Sequence, residues 1–373
     1  MIADVVIAGG GLAGAAAAAD LARAGKNVTL IERETGPTHK ICGEFLSSEA
    51  QASLARIGFD VGSLGGHKIT ALDLACGAGI ITTKLPFEGL GITRYALDEA
   101  LLAHAAGCGA TVLRGRNISK VVAAREISLE LTNQPAMDAR TLFLATGKHE
   151  VRGLRRDASP PDDLVGYKMY FQLSNPAQAA LAGKIALILF KDGYAGLQMV
   201  EHDQANLCLL TSRARVQKTA GKWPALLADL CLDSPYLARI LPGATELLDQ
   251  PLTIYRVPYG YIHHPLAADH PDIFRLGDQA GVIPSFTGDG MAIALHSAAR
   301  AASMFLAGET AAAYHQRLSH DITSQIHRAG WLYRAASAPL SQGVLFKLMQ
   351  AWPASLQLAA RLTRVPPRAR LHH

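Results

Sequence analysis

Three glycines and one acid near the amino terminus carry the first chemical signal. Gly9, Gly11 and Gly14 keep the spacing G-x-G-x-x-G, and Glu32 lies at the end of the next apolar run. That spacing permits a tight turn at Gly9, close approach of backbone to a pyrophosphate at Gly11, and close helix–strand packing at Gly14. Leu12 and Ala13 sit inside it, at the start of an expected helix whose free N–H groups and partial positive charge suit phosphate. Glu32 can accept from ribose hydroxyls, and Arg33 adjoins it at the same end. Two further groups could do chemistry. Cys42 lies in the loop 38–48 beside Gly43, which permits close approach to a ligand. Its thiol is either a redox or proton-relay group or a small apolar filler. Tyr194, Tyr255, Tyr259 and Tyr261 fall on expected strands. Alternation puts Tyr259 and Tyr261 on one face, where either could donate a hydrogen bond to a carbonyl or phenol, or simply belong to an amphipathic strand.

These residues need a frame to hold them. Residues 5–8 read as a short buried strand, 15–24 as a helix and 26–32 as a second strand. Residues 49–57 are helical and stop at Gly58, and 68–85 form strand pieces broken by Gly77 and Gly79. A helix at 97–107, a strand at 111–113, a hairpin or meander over 121–131 and a buried strand at 141–146 follow. A Pro/Asp-rich connector spans 157–163, and strand-like segments fill 167–210. Helices are expected at 223–232, 234–240 and 290–306, with extended chain at 253–261 and 273–277. The tail 330–370 carries apolar residues at helical spacing, punctuated by Arg361, Arg364, Arg368 and Arg370. It reads either as a helix packed on the body or as an interfacial helix or hydrophobic lid.

The chain has 373 residues, 49% hydrophobic and 18% charged, enough for two domains and a substantial core. The net charge of +5 comes without a run of bases interleaved with aromatics, which gives no ground for nucleic-acid binding. Five cysteines show no C-x-x-C pair and no histidine at ligand spacing, so neither a metal site nor a disulfide framework is expected. The first residues are acidic at Asp4 and lack a basic n-region, and no stretch has the length of a membrane span. The expected location is cytoplasmic, and the oligomeric state is left open.

Further motifs narrow the dinucleotide. Gly277-Asp278-Gln279-Ala280-Gly281, followed by Pro284 and Gly288-Asp289-Gly290-Met291, resembles the G-D-A-A-G-x-x-x-P-x-x-G-x-G segment of the FAD-dependent family that contains p-hydroxybenzoate hydroxylase and geranylgeranyl reductase. The resemblance implies that Asp278 binds the ribityl and pyrophosphate region. It implies that Gly288, Asp289, Gly290 and Met291 open a helix facing the flavin pyrimidine edge, where reduced flavin is negative. Ala145-Thr146-Gly147 is similar to the family's strand-end segment near the adenosine, and Arg94 and Asp98 to its Arg-x-x-Leu/Phe-Asp stretch. There Arg94 is the implied cofactor contact and Asp98 a capping or structural acid. Cys42-Gly43-Glu44 looks like the C-G-E segment of geranylgeranyl reductase-like enzymes. In halogenases a related Gly-Glu-Ser stands there; Phe45 replaces the serine, and no G-W-x-W-x-I-P block is found, which speaks against halogenation. Gly193-Tyr194 match the start of the reductases' G-Y-x-W-x-F-P strand, while Ala195-Gly196-Leu197 replace its aromatic part.

The fold class implied is α/β (α+β overall): a Rossmann-like FAD-binding domain with an inserted mixed β-sheet substrate domain and a C-terminal helical segment. The expected division is 1–75, 94–160 and 261–330 for the cofactor domain, 76–93 and 161–260 for the substrate domain, and 331–373 for the helical tail. The first expectation is a monooxygenase that hydroxylates an aromatic or polyketide-like molecule with reduced FAD and O2. NAD(P)H would dock transiently as reductant. The alternatives are a reductase or dehydrogenase of a carbon–carbon double bond in an apolar substrate, and a flavin-binding protein without catalysis. Cys42, Tyr194 and Tyr259 are the expected catalytic residues, and the tail offers peripheral contact with a membrane.

Overall fold

The computed structural model describes residues 3–157, 163–337 and 339–366. Most of the connector and the last seven residues, with Arg368 and Arg370, lie outside the described residues. Short apolar strands, four from the first half of the chain and one from residues 273–275, assemble into a five-stranded parallel sheet in the order Ile273–Arg275, Leu142–Leu144, Val5–Ala8, Val28–Ile31, Thr111–Leu113. Register is set by pairs such as Val6 with Leu142 and Val5 with Val28. Such strands can be apolar throughout because both faces are covered. The helices Leu12–Arg23, Arg94–Gly107 and Gly290–Leu306 supply the core on one face. A three-stranded meander, Ile118–Ala123, Ile127–Leu131 and Met137–Ala139, covers the other.

A nine-stranded sheet forms the second layer, and Phe45–Leu46 stands at one edge of it. The hairpin His67–Cys76 and Gly79–Gly91 comes next. The boundary expected at residue 75 therefore falls inside a strand, and the chain has already entered this sheet by His67. The strands Lys184–Phe190, Gly193–Val200, Gln204–Ser212 and Leu164–Gln172 complete the body. Alternation gives this sheet two different faces. Met169, Phe171, Ala195, Leu197 and Leu207 pack on the helices Trp223–Asp233 and Pro235–Ile240. Lys168, Tyr170, Tyr194, Gln198, Asn206 and Cys208 occupy the intervening positions.

Extended chain at 253–261 is corrected to a strand that ends at Tyr255. Arg256 adopts φ +58°, a left-handed conformation that stops the ladder, and Pro258 cannot donate to one. Tyr259 and Tyr261 consequently do not share a face. The tail also differs in detail: one helix, Ala311–Ser337, runs through Gly330. The helices Pro339–Ala351 and Ala354–Leu362 then lie against the large sheet. Phe346 seats over Gly79, where a Cβ would lie 2.6 Å from its ring. No helix among the described residues is long and apolar enough to cross a membrane.

Candidate active site

A groove of about 1090 Å³, counted to its mouth, runs along the top of the parallel sheet. Gly11, Leu12 and Ala13 line one end, at the start of the first helix, whose N-cap is Gly11. Gly9 and Gly14 do not reach the groove. They bring its walls together: a Cβ on Gly14 would lie 1.9 Å from the Gly9 carbonyl oxygen, and one on Gly9 would lie 2.5 Å from that of Ala145. Glu32 is buried and holds the loop, accepting from the N–H of Gly10 at 2.6 Å and of Glu34 at 2.9 Å. It also lines a small pocket beyond Gly11 with Thr38, Lys40 and Arg114. Arg94 lines the groove and is fixed by two bonds to Asp98, at 2.6 and 2.7 Å. Burial opposes its charge, but Asp98 overrides this and raises its pKa, so the guanidinium is a permanent cation. Thr93 caps this helix, accepting from Ala96 N–H.

The far end of the groove is lined by Ala145, Gly147, Gly277, Asp278, Gly288, Gly290 and Met291, the last two opening the helix Gly290–Leu306. A Cβ built at Gly43, Gly147 or Gly290 would meet nothing within 4 Å. These three glycines border empty space, a cradle that side chains would fill. Together with a helix N-terminus at each end and a fixed arginine, these residues fit FAD.

Above the groove the loop 40–45 is pinned by the polar end of the large sheet. Glu44 is fully buried and has φ +59°, a conformation that costs a non-glycine residue about 1–3 kcal/mol. Its carboxylate lies 2.6 Å from Lys168 Nζ and accepts from Tyr170 Oη at 2.8 Å and Arg94 N–H at 2.7 Å. Lys168, itself without exposure, also donates to the Lys40 carbonyl. Gln198 donates to the Glu44 carbonyl and Asn206 to that of Gly43. Burial pushes the Glu44 carboxyl up, against the pull of Lys168. Burial and the Glu44 charge hold Tyr170 protonated. Cys42, half-buried, faces the groove, with its Sγ 3.3 Å from the Glu44 N–H. Burial drives the Cys208 thiol across the groove up to about 12.

A second cavity, about 1160 Å³ to its mouth, meets the groove at Gly43, Phe45, Cys208, Leu209, Leu210, Ser285 and Gly288. Its lining is mostly apolar, with Leu72, Leu74, Leu187 and Leu189 from the large sheet and Leu332, Leu345, Met349 and Leu356 from the C-terminal helices; Arg364, Thr287 and Thr363 are polar exceptions. At the seam three hydroxyls form a line. Ser285 Oγ lies 2.6 Å from Tyr194 Oη, on the cavity side, and 3.1 Å from Tyr259 Oη, on the groove side. Burial keeps both tyrosines protonated.

The structure therefore brings Cys42, Gly43, Arg94, Ala145, Gly147, Asp278, Gly288, Gly290 and Met291 to one groove. It sends five expected side chains elsewhere. Asp289 is buried and paired with Arg364 of the tail, while the next residue, Gly290, lines the groove. Burial raises its carboxyl to about 7, with Arg364 opposing. Arg33 pairs with Glu34 at the surface, and Thr146 donates to the His149 carbonyl. Tyr194 lines the apolar cavity only, and Tyr261 turns toward His263. Sequence reasoning missed Lys168, Tyr170, Ser285 and Arg364. A lone lysine inside the apolar strand Leu164–Gln172 was a usable signal; nothing local marks Ser285.

Comparison with known proteins agrees with this geometry. A family model for FAD dependent oxidoreductases matches residues 4–47. A curated "Menaquinone reductase" of Mycobacterium tuberculosis is 32% identical over 162 residues, covering 40% of this chain and 39% of the relative. The chain thus matches about two fifths of that relative's length. Among solved structures, the flavin-dependent brominase Bmp2 superposes with a TM-score of 0.80 at 16% identity, over 97% of this chain and 93% of that one. The halogenase PltM in complex with phloroglucinol and FAD gives 0.75 at 14% identity, over 98% and 89%. These likenesses show the fold.

Proposed function

We propose that this chain, a member of the FAD-dependent oxidoreductase superfamily, reduces a carbon–carbon double bond in a long apolar, isoprenoid-like substrate. The observation that carries the reading is the apolar cavity opening directly onto the cofactor groove. A cavity of this size and lining seats an aliphatic chain, and its few polar groups converge at the seam. A relative named for menaquinone points in the same direction.

Gly11, Leu12, Ala13, Arg94, Asp278 and Gly290 would hold FAD. Bound and reduced, FAD supplies the hydride equivalent. The chain's residues do the rest. The leucines and Met349 hold the substrate's chain and exclude water. Phe45 and Leu210, in both cavities, set how far it reaches into the groove. The second hydrogen arrives as a proton, and the Tyr194–Ser285–Tyr259 line holds one at the seam. Cys42 and Cys208 are further hydrogen-bearing groups lining the groove. The Glu44–Lys168 pair fixes the loop that carries Cys42.

A second reading is hydroxylation of an apolar aromatic or polyketide-like molecule with O2, reduced by NAD(P)H. The hydroxyl line at the seam favours it, since it could orient a phenol. One experiment separates the two. The FAD-loaded protein, reduced without oxygen, is given polyprenyl alcohols and, in parallel, apolar phenols, and the products are weighed by mass spectrometry. Gain of two hydrogens under anaerobiosis supports reduction. Product only on admitting O2, one oxygen heavier, supports hydroxylation.

A further inference from the structure

We infer that the C-terminal helices form a docking surface for an anionic membrane. Three observations carry this. The first is charge. No aspartate or glutamate follows Asp321, while seven arginines and lysines do, so the whole chain's excess of base over acid resides in this last segment. The second is exposure. Among the described residues, Trp331, Val344, Leu348, Trp352, Leu358 and Leu362 are large apolar side chains left open on these helices and the turn between them, with Trp331 at 73%, Leu348 at 62% and Trp352 at 61%. Val344, Leu348 and Trp352 follow one another at intervals of four, and so do Leu358 and Leu362, which makes stripes rather than scattered residues. Arg334, Lys347 and Arg361 are exposed among them. Tryptophan beside cationic side chains on an apolar helix face is the composition that settles in a headgroup layer. The third is continuity. The same helices turn Leu345, Met349 and Leu356 inward to line the apolar cavity. One thin layer of helix thus separates that cavity from the outer apolar stripe.

The occupant that fits both the charge and the apolar stripe is a bilayer with anionic headgroups. The surface stands whatever the reaction is. Its use, to admit a substrate dissolved in the bilayer, rests on the reading of the cavity given above.

The binding test uses the full FAD-loaded chain without substrate, and turnover of a short alkene is measured separately. Flotation is measured with vesicles of phosphatidylcholine and with vesicles that also contain phosphatidylglycerol. The protein should float with the anionic vesicles, less so as salt rises. Its fluorescence should shift to the blue, because two of its three tryptophans, Trp331 and Trp352, lie on this surface. Leu348→Ser/Trp352→Ser should weaken binding about tenfold or more, given the apolar area withdrawn. Lys347→Glu/Arg361→Glu should weaken it on anionic vesicles alone. Both variants should keep wild-type turnover of a short, water-soluble alkene. Failure of the protein to float with either vesicle overturns the surface and leaves the reductase reading standing. A wild-type dimer that Leu348→Ser/Trp352→Ser dissociates, without vesicle binding, overturns it in favour of a second copy of the chain. Flotation without reduction of any alkene would instead contradict the reductase reading.

Discussion

The cofactor groove and the apolar cavity meet at a single seam but are made in different ways. The groove is shaped by backbone. Its walls approach because Gly9 and Gly14 have no side chains, and its empty cradle lies over Gly43, Gly147 and Gly290. Gly9 and Gly14 are required by that close approach and Gly147 by its φ of +62°, so these positions leave a mark in the sequence. The cavity is shaped by side chains of ordinary type, leucine, alanine and methionine, drawn from elements up to three hundred residues apart. Many combinations of such residues would enclose a similar space. A site written in glycines tolerates little change, whereas one written in leucines can drift to a new substrate while keeping its fold.

That contrast can be broken most severely at Gly14. Gly14→Ala puts a Cβ 1.9 Å from a backbone oxygen that cannot yield. The purified variant should lack flavin absorbance and be destabilised by about 3 kcal/mol or more. Retention of full yellow colour would show that the close approach is not needed.

Next comes the pinned loop between the two regions. Glu44→Gln leaves Lys168 buried beside a neutral partner and should cost about 3–5 kcal/mol in chemical denaturation. Adding Lys168→Met should recover most of that loss. An additive double variant would mean the two residues act separately.

The cavity should answer differently. Gly196→Leu projects into it with no neighbour closer than 3.9 Å to its Cβ. It should leave FAD binding and stability intact and raise KM for an apolar alkene about tenfold or more. Equal loss of FAD would show that the two regions are not separable.

At any single pH step the smallest effect tests the tie between the regions, the Asp289–Arg364 pair. The Asp289 carboxyl stands at about 7 in the native protein, above its ordinary 3.8. The native state therefore binds a proton that the unfolded chain does not, over the window from roughly 4 to 7. This group's contribution is present at the acid end and lost as pH rises through about 7, by at most about 1.4 kcal/mol per unit. Asp289→Asn should flatten the stability slope between about pH 4 and pH 7. An unchanged slope would assign it to other groups.

The same distinction explains what the sequence made legible. Gly9, Gly11, Gly14, Asp278 and Gly290 could be read because turns and helix starts restrict which residues they admit. The parallel sheet followed from short apolar runs. Lys168 could have been read, since a charge inside an apolar strand demands a buried partner. The Tyr194–Ser285–Tyr259 line could not. Its members come from a strand, a short helical turn and a loop, and only the packing of the two sheets brings them within 3.1 Å. Tyr259 reaches the groove from a loop rather than a strand, because Arg256 ends the strand before it. Asp289 was placed by motif, yet its side chain turned to a tail residue seventy-five positions on.

The central claim is that the apolar cavity delivers its occupant to the cofactor groove. Anaerobic rapid mixing of the reduced, FAD-loaded protein with polyprenyl alcohols of increasing length tests it most directly. The flavin should reoxidise without oxygen, faster and at lower concentration as the chain lengthens, and Gly196→Leu should abolish the length dependence. Reoxidation by oxygen alone, indifferent to every alkene offered, would contradict the account.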